Sequence, residues 1–455
     1  MINELYKQLK EKDYLWFIIA LFVSLIASIV TYIIINQFMS QIDAYFVIIL
    51  FIFLILLIIL LYYYPELGLG LAVGGAPLIT FVLENVLGVQ DNLAMIIYSL
   101  TLIGLFISFL KNRTFLPIFS IPSVTIFVFV FVLILGTFYS PSPKYGFQKV
   151  IIFSLRTLFP FFSFLYYSEQ NKSLKGIFSL LLYFGIILGI ISTIQIFTGG
   201  VTGERFGSLV GNSIKFSRVL GVVILLLIYK IRYSNNKMKI ILIACLPFLF
   251  LPMLVSGSRG PMLALGSAIA LYMLLTPGNV KIKIYSIAII SISIILIYNF
   301  SDFKGMERIK GFFEGDVGDG GTTARLDFYS VAWNTFLDSP LFGIGTGGFG
   351  YITTGSDTRH YPHNIFLEVA AENGIIGLSI MGGFLFTTIF IVYFLLFKID
   401  IDYESKELIY ISITLLLFAL VASLTSGDIA GNQYVWFGSA MIWGQYSANR
   451  KINLK

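Results

Sequence analysis

The sequence predicts an all-α polytopic membrane protein, and three observations carry that expectation. First, 57% of the 455 residues are hydrophobic and only 12% are charged, against about 25% charged in an ordinary soluble domain. So little charge cannot cover the surface of a water-soluble protein of this size, and the same figures exclude disorder. Second, the apolar residues fall in runs of about 20, the length of helix that crosses a hydrocarbon core about 30 Å thick. Third, the basic residues concentrate in alternate short loops, as the positive-inside rule requires. The single cysteine, Cys245, excludes an intrachain disulfide and a Cys-rich metal site, and the two histidines, His360 and His363, are too few for a multi-histidine cage.

Taken in order, the expected spans are approximately 14–36, 44–64, 67–84, 92–110, 121–139, 147–167 and 174–197 in the first half. The second half gives approximately 209–229, 238–255, 260–277, 281–299, 373–398, 407–426 and 430–447. The third, tenth and fourteenth are short or Gly-rich, so the expected count is about 12–14 transmembrane helices in one polytopic domain over 1–455. The first span is too long for the h-region of a signal peptide and lacks a small-residue cleavage site.

With a cytoplasmic N-terminus, the inside segments hold 18 of the 30 basic residues, among them Lys230, Arg232, Lys237 and Lys239. Both termini are therefore expected in the cytoplasm. The +6 net charge is read as this topological signal and not as a nucleic-acid footprint. One long loop, 300–372, is expected outside the membrane and carries both histidines. Within it, Thr322 and Thr323 precede Leu326, Tyr329, Ala332, Trp333 and Phe336 at helical spacing, which predicts an N-capped amphipathic helix ending at Asp338-Ser339-Pro340. A second short helix is expected from Pro362 to Asn373. No internal repeat is evident, which weakens an inverted-repeat transporter fold.

Charges inside spans are costly and default to functional hypotheses. Arg156 falls near the middle of the sixth span. Lys215 and Arg218 fall one and two turns into the eighth, on the face of Asn212. A row of cations with no mid-span acid to neutralise them suggests an anionic ligand, the alternatives being snorkelling or bonds to carbonyls of broken helices. Arg205, in Thr202-Gly203-Glu204-Arg205-Phe206-Gly207, and Arg259, in Ser256-Gly257-Ser258-Arg259-Gly260-Pro261, stand in outer turns where glycines let backbone amides approach the same anion. Arginine offers a planar fork suited to phosphate oxygens, although a lone outer arginine is also a common solvated charge.

The stretch from His363-Asn364-Ile365-Phe366 through Glu372-Asn373-Gly374 to Leu378 resembles the signature of the O-antigen ligase and polymerase superfamily. So does the run before it, from Ala324-Arg325-Leu326 through Asp338-Ser339-Pro340 to Phe349. Arg205 to Asn212 and Ser258-Arg259-Gly260 resemble two earlier blocks of the same pattern, with Gly211-Asn212 replacing the usual Pro-Asn. The resemblance implies a GT-C-like glycosyltransferase of the cytoplasmic (inner) membrane. Its donor would be a polyprenyl-diphosphate-linked glycan and its acceptor a glycolipid or glycan hydroxyl, such as lipid A-core, met on the extracytoplasmic face. It further implies a loop histidine, His363, as general base, arginines at Arg205, Arg259 and Arg325 on the diphosphate, and no metal or other cofactor.

Lys215 and Arg218 are expected to join the diphosphate site, with Asn212, Asn364, Glu372, His360 and Arg156 in support. A neutral imidazole suits deprotonation of a hydroxyl near pH 7, and cations can stabilise the departing diphosphate. His360 is the competing base, Glu368 and Glu372 come next, and a helix-capping role for His363 stays open. Ligase and polymerase need the same parts. A lipid-linked glycan flippase would explain the buried cations but not the long loop with both histidines.

Overall fold

The computed structural model describes residues 55–75, 101–108, 110, 120–198, 206–207, 212–278 and 320–453. Among them every regular element is helical. The expected spans 14–36 and 281–299 and the N-terminal segment lie outside the described residues, as does Arg205.

The protein is an all-α polytopic membrane protein. Among the described residues, six helices are long and apolar enough to cross a bilayer, and a seventh candidate is the bent pair Ile55–Tyr63 and Leu67–Gly75, which turns through 117°. The bend falls between the expected spans 44–64 and 67–84, whose outer parts lie outside the described residues: Pro65 sits in the break, where it can neither donate a helical hydrogen bond nor leave its predecessor helical.

The remaining helices follow the hydrophobic runs. We number them α1 (Ile121–Tyr139), α2 (Pro143–Tyr167, with a π-turn at Ser154–Leu158), α3 (Asn171–Phe197), α4 (Ser213–Tyr233), α5 (Asn236–Val255) and α6 (Arg259–Leu275). They continue with α7 (Gly320–Asp338), α8 (Phe349–Thr354), α9 (Ile365–Phe397), α10 (Tyr403–Thr425) and α11 (Gln433–Asn453). Local chemistry sets the starts. Asn212 caps α4, Asn235 caps α5, Asn364 caps α9 and Asp402 caps α10, each side chain accepting from first-turn amides.

Trp436 of α11 ties four helices into one core. Its ring lies 5.3 Å from Phe129 (α1), 5.5 Å from Phe153 (α2) and 5.2 Å from Phe384 (α9). The second sector packs α6 against α10 and α4 against α5, α6 and α10. Phe138, Leu274, Phe386 and Phe397 point outward, more than two-thirds exposed, as lipid-facing side chains should.

The helix expected at 362–373 and the span expected at 373–398 are the two limbs of α9, which meet at a non-helical break at Gly374 (φ 61°, ψ −160°). Two expectations about α7 are revised. Helix α7 begins at Gly320, upstream of the threonines expected to cap it. Its inner face is Phe328, Val331 and Ala332, packed on Phe349, Leu367 and Ala371, while Leu326 and Trp333 are exposed. The Phe328 ring sets that rotation: it lies 4.7 Å from His360 and 6.4 Å from Phe349.

Candidate functional site

The site is built around the first limb of α9, residues 365–373. At its head, the Asn364 side chain accepts from the amides of Phe366 (3.0 Å) and Leu367 (3.2 Å). Immediately before the cap, His363 adopts φ 60°, the only positive φ at a non-glycine among the described residues. Left-handed backbone costs an L-residue about 1–2 kcal/mol, so the surroundings must impose it. Tyr361 (4.7 Å between rings) and Phe328 (6.3 Å, stacked) flank the half-buried imidazole.

At the foot of the limb, Gly374 interrupts the helix and strands its last carbonyls. The loop after α7 takes them up: Ile344 N–H donates to Ala371 O (3.0 Å) and Gly345 N–H to Glu372 O (2.9 Å). On the far side of the break, Ile375 N–H donates to Pro340 O (2.8 Å). Both Gly343 (φ 68°) and Gly374 are positive-φ positions where a Cβ would strike opposing backbone. The Asp338 to Gly345 run thus docks a broken helix and satisfies its backbone.

A buried charge cluster anchors the limb sideways. Lys149 of α2 is 1% exposed and pairs with both Glu368 and Glu372, the latter at 2.6 Å. Glu372 also accepts from Gly347 N–H at 2.8 Å, and Asn373 reaches Thr346 Oγ1 at 3.0 Å. The sequence reading singled out Glu372 and Glu368 but not their partner. Lys149 sits only two residues inside the expected start of its span, where it resembles an interfacial lysine.

Beyond Tyr361 the site is cationic. The Arg359 guanidinium carbon stands 5.4 Å over the Tyr361 ring, and its Nε and Nη2 donate to Asp428 Oδ2 at 3.0 and 2.9 Å. Burial would push the Asp428 carboxyl up, but the Arg359 and Lys149 charges and bonds from Arg359 and Gly431 hold it below the ordinary range. Tyr145 also donates to Asp428, at 3.3 Å. Lys215 lies within electrostatic reach of Arg359, Arg156 and Arg218 as well as Asp428. Arg156 stands in the π-turn of α2, where its buried Nε has no hydrogen-bond acceptor. π-turns recur at functional sites.

Other expected residues take more structural positions. Arg218 is 4% exposed and donates to Ala422 O (2.8 Å), Ser426 O (2.6 Å) and Gly431 O (3.4 Å), so its fork closes the end of α10 instead of opening toward a ligand. Asn212 is spent on capping α4, with Ile214 and Lys215 amides at 3.1 and 3.0 Å. His360 places Nδ1 2.7 Å from Thr353 Oγ1, holding α8 to the loop. Arg259 opens α6, half-buried, in a turn tied to α4 through Ser256 and Ser217 (2.5 Å). Arg325 is half-buried on α7 within electrostatic reach of Tyr329, whose hydroxyl donates to Leu424 O at 3.0 Å.

The residues that sequence reasoning missed are Lys149, Arg359, Tyr361 and Asp428. The loop between α10 and α11 carries no motif, so its acid could be found only by folding.

Fold and site together define a multi-pass membrane protein in which a docked, broken helix begins at a histidine near a cluster of cations. Residues 246–382 match the family model described as O-antigen ligase, and they run from the middle of α5 through α6, α7 and α8 into α9. That stretch of the chain is thus similar to the O-antigen ligase domain. The chain is also similar to the teichuronic acid biosynthesis protein TuaE of Bacillus subtilis (strain 168), 27% identical over 126 residues, covering 26% of this chain and 25% of that protein. The chain thus matches about a quarter of the length of that curated relative.

Proposed function

We propose that the protein is a membrane glycosyltransferase of the O-antigen ligase type. It would transfer a glycan from a polyprenyl diphosphate to an acceptor hydroxyl, a glycolipid such as lipid A-core or a similar glycan, on the extracytoplasmic face of the cytoplasmic membrane. The observation that carries this reading is the placement of His363. Its imidazole is held in a backbone conformation that only a constrained site maintains, and the Tyr361 ring contacts both it and the Arg359 guanidinium, which in turn is within electrostatic reach of Lys215.

In this reading His363 accepts the proton of the acceptor hydroxyl while that oxygen attacks the anomeric carbon. The bond to the diphosphate oxygen breaks, and the leaving group departs as a polyprenyl diphosphate. Arg156 and Lys215, with Arg205, Arg259 and Arg325 at the mouth, stabilise its growing charge. Arg218 shapes the same wall through the carbonyls it holds, and the Glu372 and Asn364 contacts keep the limb in place.

The relative named for teichuronic acid biosynthesis favours a second reading, a polymerase joining lipid-linked repeat units. Purified protein in proteoliposomes, given lipid-linked glycan with and without a separate glycolipid acceptor, tests both. A ligase transfers glycan only when the second acceptor is present. A polymerase lengthens the donor without it. No product in either arm, from protein that is folded, would remove the glycosyltransferase reading.

A further inference from the structure

At the other end of the bundle from His363, helices α3, α4 and α10 enclose a crevice of about 250 Å³. At about 30 Å³ per water this is room for about eight waters, enough for a small polar group and not for a whole lipid. Lys215 and Lys230 lie on the same helix fifteen residues apart, so the crevice is about 22 Å from the cation cluster. This is the end that the basic-residue pattern expects in the cytoplasm.

Phe178, Leu182 and Leu226 make its walls apolar, while Tyr229, Tyr233 and Tyr403 surround the mouth. Tyrosines with lysines at helix ends mark a membrane–water interface. Its two lysines and two glutamates are not all paired with one another. Lys175 is satisfied by Glu404 at 2.6 Å, whereas no carboxylate among the described residues pairs with Lys230. Glu407 is 1% exposed, yet neither of its oxygens has a donor in hydrogen-bond geometry. Its ion pair with Arg232 is long, at 3.5 Å, and the Tyr233 hydroxyl is nearby. A buried carboxylate whose hydrogen-bonding capacity is unmet is costly.

We propose that this crevice holds the head group of a zwitterionic aminophospholipid, its phosphate on Lys230 and its primary ammonium on Glu407. A simple anion would meet Glu404 and Glu407. A quaternary ammonium has no N–H to give Glu407. The apolar walls receive the glycerol end and the first methylenes of the acyl chains. This inference is independent of the proposed transferase activity.

The full-length protein is exchanged into nanodiscs containing equal parts phosphatidylethanolamine, phosphatidylcholine and phosphatidylglycerol, and co-purifying lipid is measured by native mass spectrometry after brief detergent release. One charge-assisted hydrogen bond is worth about tenfold in affinity, so phosphatidylethanolamine should be retained about tenfold over the other two. Lys230→Ala should lower retention of both phosphate-bearing competitors and the preferred lipid. Glu407→Gln, which keeps the shape, should erase the preference for phosphatidylethanolamine over phosphatidylglycerol. Thermal unfolding within a few degrees of wild type establishes that both variants are folded. Equal retention of all three lipids by the wild type, or undiminished total lipid retention in Lys230→Ala, would overturn the proposal. Displacement of the lipid by soluble phosphoethanolamine at equal concentration would assign the crevice to a free metabolite instead.

Discussion

His363 pays for its conformation, which separates a structural from a chemical role. His363→Gly relieves left-handed strain of about 1–2 kcal/mol, partly offset by the flexibility glycine gives the unfolded chain. The protein should therefore keep its thermal stability while losing glycan transfer by about 10²–10⁴-fold. Melting of purified protein and transfer in proteoliposomes check the two halves, and a destabilised but active variant would make His363 a capping residue. The cations divide in the same way. Arg218→Ala strands three backbone carbonyls and should destabilise the bundle by several kcal/mol. Lys215→Ala should leave melting nearly unchanged and reduce donor use. Lys149→Met leaves two buried carboxylates without their ammonium and should cost about 3–5 kcal/mol. Asp428 is deprotonated in the folded state below its ordinary value of 3.8, so its ion pair with Arg359 stabilises the fold above that pH and is lost as pH falls beneath it. Activity limits between pH 5 and 8 should consequently follow the histidine and not this pair. At this scale the sequence singled out His363 through the motif it opens, and Arg156 and Lys215 because charged groups in apolar runs are conspicuous. Arg359 and Asp428 were not legible, since each looks like an ordinary loop charge until the loops are brought together.

At the scale of elements, the broken helix α9 depends on two glycines. Gly374→Ala places a Cβ against the Leu341 carbonyl in a backbone conformation that alanine resists, so it should lower stability by well over about 1 kcal/mol. Its transfer activity should fall with the folded fraction, as read by size-exclusion yield and activity per folded molecule. Gly382→Ala, where a Cβ meets nothing within 4 Å, is the matched control and should be neutral or mildly stabilising. The hydrophobic runs predicted α1, α3 and α5 closely, because one apolar stretch bounded by polar residues determines one span. The boundary between the loop helix and the next span was legible at Asn373-Gly374, whereas the docking of the Asp338 to Gly345 run on that break was not, because it rests on backbone hydrogen bonds that no side-chain pattern announces. Prediction of the face of α7 held at Ala332 and missed at Leu326 and Trp333 for a different reason. Leu326 and Trp333 match helical spacing as well as Phe328 and Ala332 do, and only the His360 and Phe349 rings decide between them.

For the whole molecule, composition pointed to the membrane and the apolar runs of about 20 residues to helices, since a run of that length satisfies its backbone in lipid as a helix. The direction of insertion rests on the lysine and arginine pattern. In a Cys245-free background, impermeant thiol reagents applied from outside should label cysteines placed within 325–360 and spare one placed at 235; the reverse would invert the membrane orientation and remove the extracytoplasmic site. The central claim is that one group moves the proton while others hold the donor, and binding of a polyprenyl-diphosphate glycan to purified protein tests it most directly. His363→Ala should bind the donor within about twofold of wild type while transferring nothing, and the Arg156→Ala, Lys215→Ala double variant should lose affinity by at least about tenfold per charge-assisted contact removed. Loss of donor binding in His363→Ala with undiminished binding in the double variant would contradict the account.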